Sequence, residues 1–393
     1  HLVALLDRAL RDIGGAHPEL RARLLAQLAA DSYWTSGRSY TRELLDEALA
    51  LARSQGEPTT LAAVLSTRLR CLNEPDTLAE RLAASTELLE LVRPLGDQAM
   101  TLDATMYRGV AALEAGRLEE WDRRLAECEA LATKARQPFL AWRVAYLKTM
   151  VDVMRDTVAG EASATATFEI GSPLNDDDVF TLFFTSLFII RFHQGRAAEL
   201  VPTMRELVAD REGIPVWRAV LALCLAEAGD LEAARELVHE AVFERKSHME
   251  RDHVWWGTIV VLAETVWTLG DRSSAEALLG EVHPFVDHIT CAGLGTASTG
   301  AAARTVAQLE TVLGRYEEAD AHFALAASTN MRVDARCFGM RTTHDHIAML
   351  LERDASGDRD RAAELLVGAT AAAKSLGMAG HAERLEAWTS SLE

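Results

Sequence analysis

A lone glycine followed by a charged or polar run interrupts helix-forming sequence seven times in this chain, at Gly37, Gly116, Gly195, Gly229, Gly270, Gly314 and Gly357. The gaps between them are 79, 79, 34, 41, 44 and 43 residues, so the first two are about twice the others. One degenerate turn in each long gap, near residues 74–76 and near Gly160, gives nine turns at a mean pitch of about 40 residues. A period of about 20–50 residues specifies an array in which each unit buries its apolar face only by stacking on its neighbours.

Composition supports helices throughout. Apolar residues make up 49% of the 393, prolines number nine, and the segments are rich in Ala, Leu, Glu and Arg with few β-branched runs. Such an array grows without splitting into separate cores. Residues 1–393 are therefore expected to form a single helical-repeat domain, with 159–178 as its irregular segment. The net charge of −19 argues against direct nucleic-acid contact, which needs clustered Lys and Arg.

Five cysteines (Cys71, Cys128, Cys224, Cys291, Cys337) lie far apart with no Cys-x-x-Cys pair, which argues against structural zinc and a disulfide framework. The longest apolar run, residues 179–192, contains Thr181, Thr185 and Ser186. It falls short of the ~20 residues a bilayer requires. No secretory signal is visible, so a cytoplasmic protein without membrane contact is expected. The chain begins at His1 rather than Met, and a portion of a longer protein is expected.

The turn glycines also set a register. Five, nine and twelve residues after Gly314 stand Ala319, Phe323 and Ala326. The same offsets give Ala234, Val238 and Ala241 after Gly229; Ala275, Leu279 and Val282 after Gly270; and Ala362, Leu366 and Ala369 after Gly357. Seven residues before most of the turns the side chain is small, as at Ala30, Gly109, Ala222, Ala263 and Ala307. Small residues let two helices approach, and the bulky ones fill the groove beside them. Around Gly116 the match is partial, with Trp121 where alanine is expected.

These offsets resemble the tetratricopeptide repeat, at a pitch longer than that family's ~34 residues. The resemblance implies an all-α, tetratricopeptide-like α-solenoid of about nine hairpins, wound as a right-handed superhelix. A second resemblance rests on residues 2–10 and 20–30, on Leu45-Asp-Glu-Ala-Leu-Ala-Leu-Ala-Arg53, and on residues 362–377. These look like the C-terminal helical-repeat half of actinobacterial signal-transduction ATPases, including LuxR-type regulators, AfsR-type antibiotic regulators and cyclase-linked members. That implies a sensor and autoinhibitory arm that binds an inducer and controls a nucleotide-driven switch elsewhere in the polypeptide. The sequence contains no Gly-x-x-x-x-Gly-Lys-Ser/Thr loop, so no cofactor is expected in this segment, and ATP is expected in an upstream domain. The expected partners are an inducer, either a small molecule or a protein, and the polypeptide's own ATPase and effector domains.

If tetratricopeptide geometry holds, residues 13, 10, 6, 3 and 2 before each turn face inward. They include Trp34, Met106, Met150, Met154, Phe192, His193, Glu264, Trp267, Arg304 and Gln308. The most distinctive stretch, residues 180–192, holds Phe180, Phe183, Phe184, Phe188 and Phe192, five of the chain's eleven phenylalanines. It reads either as a buried central helix or as the wall of an apolar pocket built on Phe184 and Phe188, with Arg191 or His193 meeting a ligand's polar end. The preceding irregular segment would then be a flap over that wall or a poorly matching repeat.

Catalytic and metal constellations are weak. His344 and His346 are two apart, so on a helix they point about 200° apart and do not share an ion. His248, His253 and the Trp255–Trp256 pair read as a solvated loop leading into a core helix. Asp176, Asp177 and Asp178 precede an apolar helix, where acidic residues serve as caps and dipole partners. No Gly-x-Ser-x-Gly elbow is present. Two classes of function fit: a non-catalytic sensor that binds an inducer on its concave face or in a central pocket, and a protein-interaction scaffold with no small ligand.

Overall fold

The computed structural model describes residues 2–210, 214–244 and 251–392. Nine helical hairpins follow one another among them. Helix α1 (Leu2–Ile13) precedes the first, in which α2 (Pro18–Asp31) and its short continuation α3 (Tyr33–Ser36) lead into α4 (Arg38–Gln55). Next come α5 (Pro58–Cys71) with α6 (Leu78–Leu95), α7 (Gln98–Glu114) with α8 (Leu118–Ala135), and α9 (Pro138–Arg155) with α10 (Thr157–Gly171). They are followed by α11 (Asp177–His193) with α12 (Val201–Asp210), α13 (Pro215–Glu227) with α14 (Leu231–His239), and α15 (Trp255–Leu269) with α16 (Arg272–Val282). A β-hairpin of β1 (Ile289–Ala292) and β2 (Ala297–Ala301) leads into α17 (Ala302–Val312) with α18 (Tyr316–Arg332). The last hairpin is α19 (Arg336–Arg353) with α20 (Asp358–Leu366), and α21 (Ala369–Ser375) and α22 (Ala379–Leu392) close the described chain. The protein is an all-α helical repeat, as the turn spacing predicts.

Contacts divide the described chain into two units. One holds residues 2–112, 119–144 and 251–253, and the other holds 113–118, 145–210, 214–244 and 254–392. In the second, the first helices of successive hairpins, α13, α15, α17 and α19, pack side by side, each also against its own second helix.

The seven turn glycines all adopt positive φ, between 62° and 88°, where a side chain would be strained. The two degenerate turns are built differently. Near residue 76 the chain turns through Pro75–Thr77, held by a reciprocal capping box between Glu74 and Thr77. The other turn lies at Asp156 and not at Gly160, a correction to the sequence reading. Asp156 takes an extended backbone and accepts from the Val158 and Ala159 amides at 2.8 and 2.9 Å, capping α10. Gly160 is inside that helix, where a Cβ would stand 2.8 Å from the Val153 Cα, so it is small to let α9 and α10 touch.

With the turn at Asp156 the first five turns (Gly37, Asp76, Gly116, Asp156, Gly195) are 39 or 40 residues apart. Side-chain pairs keep the same beat. Arg53–Glu87 recurs 40 residues on as Arg93–Glu127, and Arg68–Glu80 recurs as Arg108–Glu120.

In the later hairpins every position at plus five, nine and twelve after Gly229, Gly270, Gly314 and Gly357 is buried. The exception near Gly116 is compensated. Trp121 is 1% exposed, and a Cβ on Gly109 would lie 3.4 Å from its ring, so the small and bulky positions have exchanged helices.

Two further expectations are corrected. The segment 159–178 is mostly α10, a short Ser172–Leu174 turn and the acidic cap of α11, so it is a poorly matching repeat and not a flap. Asp176 caps α11 by accepting from the Asp178 amide at 2.9 Å, as its position predicts. The β-hairpin was not anticipated. Its Gly293-Leu294-Gly295 turn takes three positive φ values, and the Ala301 amide of β2 donates to Asn330 Oδ1 at 2.9 Å. His253 is not in a solvated loop: its Nδ1 is 2.9 Å from the Tyr33 hydroxyl, and burial pushes its pKa down to about 4. His248 lies outside the described residues.

Candidate functional site

Within the second unit the inward faces of α11, α15, α17, α19 and α22 converge on one buried ionic centre. Arg304 of α17 is 1% exposed and forks between two acids. Its Nη1 lies 2.6 Å from Glu264 Oε1 of α15, and its Nε donates to Asp345 Oδ2 of α19 at 2.8 Å. One turn along α17, Gln308 Nε2 donates to Glu264 Oε2 at 3.1 Å and to Asp345 Oδ2 at 3.0 Å. Arg341 of α19 donates from Nη2 to Glu264 Oε2 at 2.9 Å and from Nη1 to His381 Nε2 of α22 at 3.1 Å. Its guanidinium carbon sits 3.7 Å from the centroid of the Phe192 ring, a cation–π contact made out of water.

Three imidazoles line this centre. His193 packs edge-on against Phe338 with ring centroids 4.5 Å apart. His344 Nδ1 donates to Asp345 Oδ1 at 3.1 Å, and its ring stands 4.8 Å from both the His381 and Trp388 rings. Several polar atoms are left without a hydrogen-bond partner: both ring nitrogens of His193, Gln308 Oε1, Arg341 Nε, His344 Nε2 and His381 Nδ1. Each such atom sealed from water costs about 1–3 kcal/mol, so this number in one place marks a centre not optimised for stability alone.

The electrostatics follow from burial and pairing. Burial acts to raise the Asp345 carboxyl, but Arg304, the His344 hydrogen bond and Arg341 outweigh it and hold the group below the ordinary carboxylate range. Burial, reinforced by Arg341 for both, drives His193 and His381 well below the usual histidine value, so both are neutral. Burial also lowers Arg341, while Arg304 is raised because Asp345 and Glu264 more than offset its desolvation. Two guanidinium groups thus balance two carboxylates, with the neutral imidazoles of His193 and His381 beside them.

The residues anticipated from the turn offsets and from the phenylalanine-rich stretch divide into three groups. Phe192, His193, Glu264, Arg304 and Gln308 come together here. Phe188 stacks on Phe192 at 6.0 Å, and Phe184 meets Trp217 edge-on at 6.0 Å, so these rings are packed into the helical core. Arg191 does not face that centre; it pairs with Glu161 of α10 at 2.7 Å. Trp267 packs edge-on against Phe323, and Met150 and Met154 are buried elsewhere in the same unit. Met106 is buried in the other unit, and the Trp34 side chain lies outside the described residues. His344 and His346 diverge as their spacing requires, His346 Nε2 meeting Asp320 at 2.8 Å.

Arg341, Asp345, Phe338 and His381 were not anticipated. The last turn is longer than the others, because α19 ends at Arg353 and the left-handed cap is Asp354. Counting back 13 and 10 from Asp354 gives Arg341 and His344, so the offset was right and its origin three residues late.

The fold and this centre define a helical-repeat protein with a buried charge network on its inner helices. No protein-family model and no curated protein matches the chain. Among solved structures it is similar to a "Circular tandem repeat protein with novel repeat topology and enhanced subunit contact surfaces", at 12% identity and a TM-score of 0.18. The match covers 99% of this chain and 86% of that one; the fold assignment rests on the helices and their register and not on this likeness. No described helix is long and apolar enough to cross a membrane.

Proposed function

We propose that this chain is a non-catalytic sensor module of a larger ATPase-type transcriptional regulator, and that the ionic centre is where it reads a small polar inducer. The observation that carries the reading is the set of unpartnered buried polar atoms on His193, Gln308, Arg341, His344 and His381. Those atoms are on four helices, α11, α17, α19 and α22, so a molecule that satisfied them would tie these helices together. A ligand shifts a switch only by its differential affinity for two states, and a closed, under-bonded centre offers that difference. The unpartnered Arg341 Nε and His381 Nδ1 are donors that favour acceptor oxygens on a ligand, and Gln308 Oε1 favours a donor, as in a hydroxy acid. The apolar-pocket version loses support, because Phe184 and Phe188 are engaged with other rings.

A second reading, a scaffold for a partner protein, is favoured by one observation. A shallow depression lined by Val158, Glu161, Ala162, Thr165, Ala166 and Glu169 runs along α10, where Val158 is 64% exposed. Native mass spectrometry of the purified chain, with a thermal-shift screen of small carboxylic acids, separates the two. A bound small molecule or a stabilising acid, lost in Arg341→Met, supports the sensor. No response to any acid, together with a stabilising protein partner, refutes it.

A further inference from the structure

We infer that His283, Glu310 and His322 form a site for a divalent transition-metal ion of the zinc class, clamping the α15–α16 hairpin to the α17–α18 hairpin. One ligand atom from each of the three lies within 4.8 Å of the other two. A zinc ion held at about 2.0–2.1 Å places neighbouring ligand atoms about 3.3–3.5 Å apart. Closing the set therefore takes little more than a rotation of His283, which is exposed in the short His283–Phe285 turn that follows α16. The other two already meet through a hydrogen bond, whose proton leaves and whose atoms part by about 0.6 Å when a metal enters. His322 Nδ1 of α18 is 2.7 Å from Glu310 Oε2 of α17, and Glu310 is 3% exposed. The His283 and His322 rings meet edge-on at 5.8 Å.

The pattern of the repeat separates this cluster from an ordinary ion pair. Residues twelve apart across a hairpin turn also meet at Arg68–Glu80 and Arg108–Glu120, with arginine on the first helix and the acid on the second. At Glu310–His322 the acid has moved to the first helix, an imidazole replaces the cation, and a second imidazole arrives from the neighbouring hairpin. Two nitrogen ligands and one carboxylate select zinc or its first-row neighbours over calcium or magnesium. Three protein ligands leave a coordination position for water or another donor.

The test uses the untagged full chain, stripped with chelator and titrated with Co²⁺ as a visible-absorption probe, then with Zn²⁺ in competition. One tight equivalent of Co²⁺ with tetrahedral or five-coordinate absorption is expected, displaced by Zn²⁺, with a rise in the thermal midpoint. His283→Ala and Glu310→Gln should each weaken binding at least tenfold. His283 is exposed, so its metal-free variant should melt with the wild type, which separates lost binding from lost folding. Absence of a stoichiometric Co²⁺ equivalent, or undiminished binding by His283→Ala, overturns the site.

Discussion

Arg304→Met removes a side chain that bridges Glu264 and Asp345 with two separate arms of one guanidinium. Methionine keeps much of the volume but leaves the two buried carboxylates with Arg341 as their counter-charge and with the hydrogen bonds of Gln308 and His344. Breaking one partner out of a buried ionic set costs about 3–5 kcal/mol, because the remaining charge is sealed from water. In a body the size of the second unit this corresponds to a fall of about 6–20 °C in the melting midpoint. The pH dependence gives the mechanism a second signature. In the wild type Asp345 is held below its ordinary value of 3.8, so its contribution is present above that value and is lost as pH falls through the lower folded value. In the variant, burial with less counter-charge raises the carboxylates, so the folded state takes up a proton and the deficit narrows from about pH 7 to about pH 5. Arg304→Lys should recover only part of the loss, since an ammonium cannot supply the planar fork. Differential scanning calorimetry across that range is the assay. A deficit below about 1 kcal/mol at neutral pH, or one that widens on acidification, would refute the electrostatic account.

The neutral histidines predict a separate acid sensitivity. Folded His193 and His381 lie below the ordinary value of 6.5, so stability declines as pH drops through 6.5 and levels off below their folded values. His381→Phe should flatten that decline in a melting-temperature series, and an unchanged slope would show that His381 does not titrate on unfolding. Gly160→Ala places a methyl group 2.8 Å from the Val153 Cα and should destabilise by about 1–3 kcal/mol in calorimetry. Gly280→Ala in α16 meets nothing within 4 Å and should instead gain about 0.5–1 kcal/mol, so opposite signs in one assay test the contact reading.

Much of the fold was legible because the signals are local. A helix repeats its face every 3.6 residues, and a turn that needs positive φ selects glycine, so Gly229, Gly270 and Gly314 marked both the breaks and the buried alanines beyond them. Where chemistry other than glycine makes the turn, the signal weakened. Asp156 ends a helix by capping the next one, while Gly160 serves close packing, and spacing alone cannot tell those two uses of a small residue apart. The Trp121–Gly109 exchange was illegible for a related reason: the sum of two facing side chains is constrained, and either helix can carry the bulk.

By itself the sequence determined the pitch, the all-helical class, and the inward positions of Glu264, Arg304, Gln308 and His193. Tertiary structure alone decided what those positions meet. Arg341, Asp345 and His381 join them across five helices, and His283 reaches Glu310 and His322 across two hairpins. Helix periodicity is set by contacts within a few residues and is written in the chain. Convergence depends on how successive hairpins stack, where a three-residue difference in one turn, Asp354 against Gly357, moves the inward set nearly one turn along the same face of α19 and so brings in Arg341.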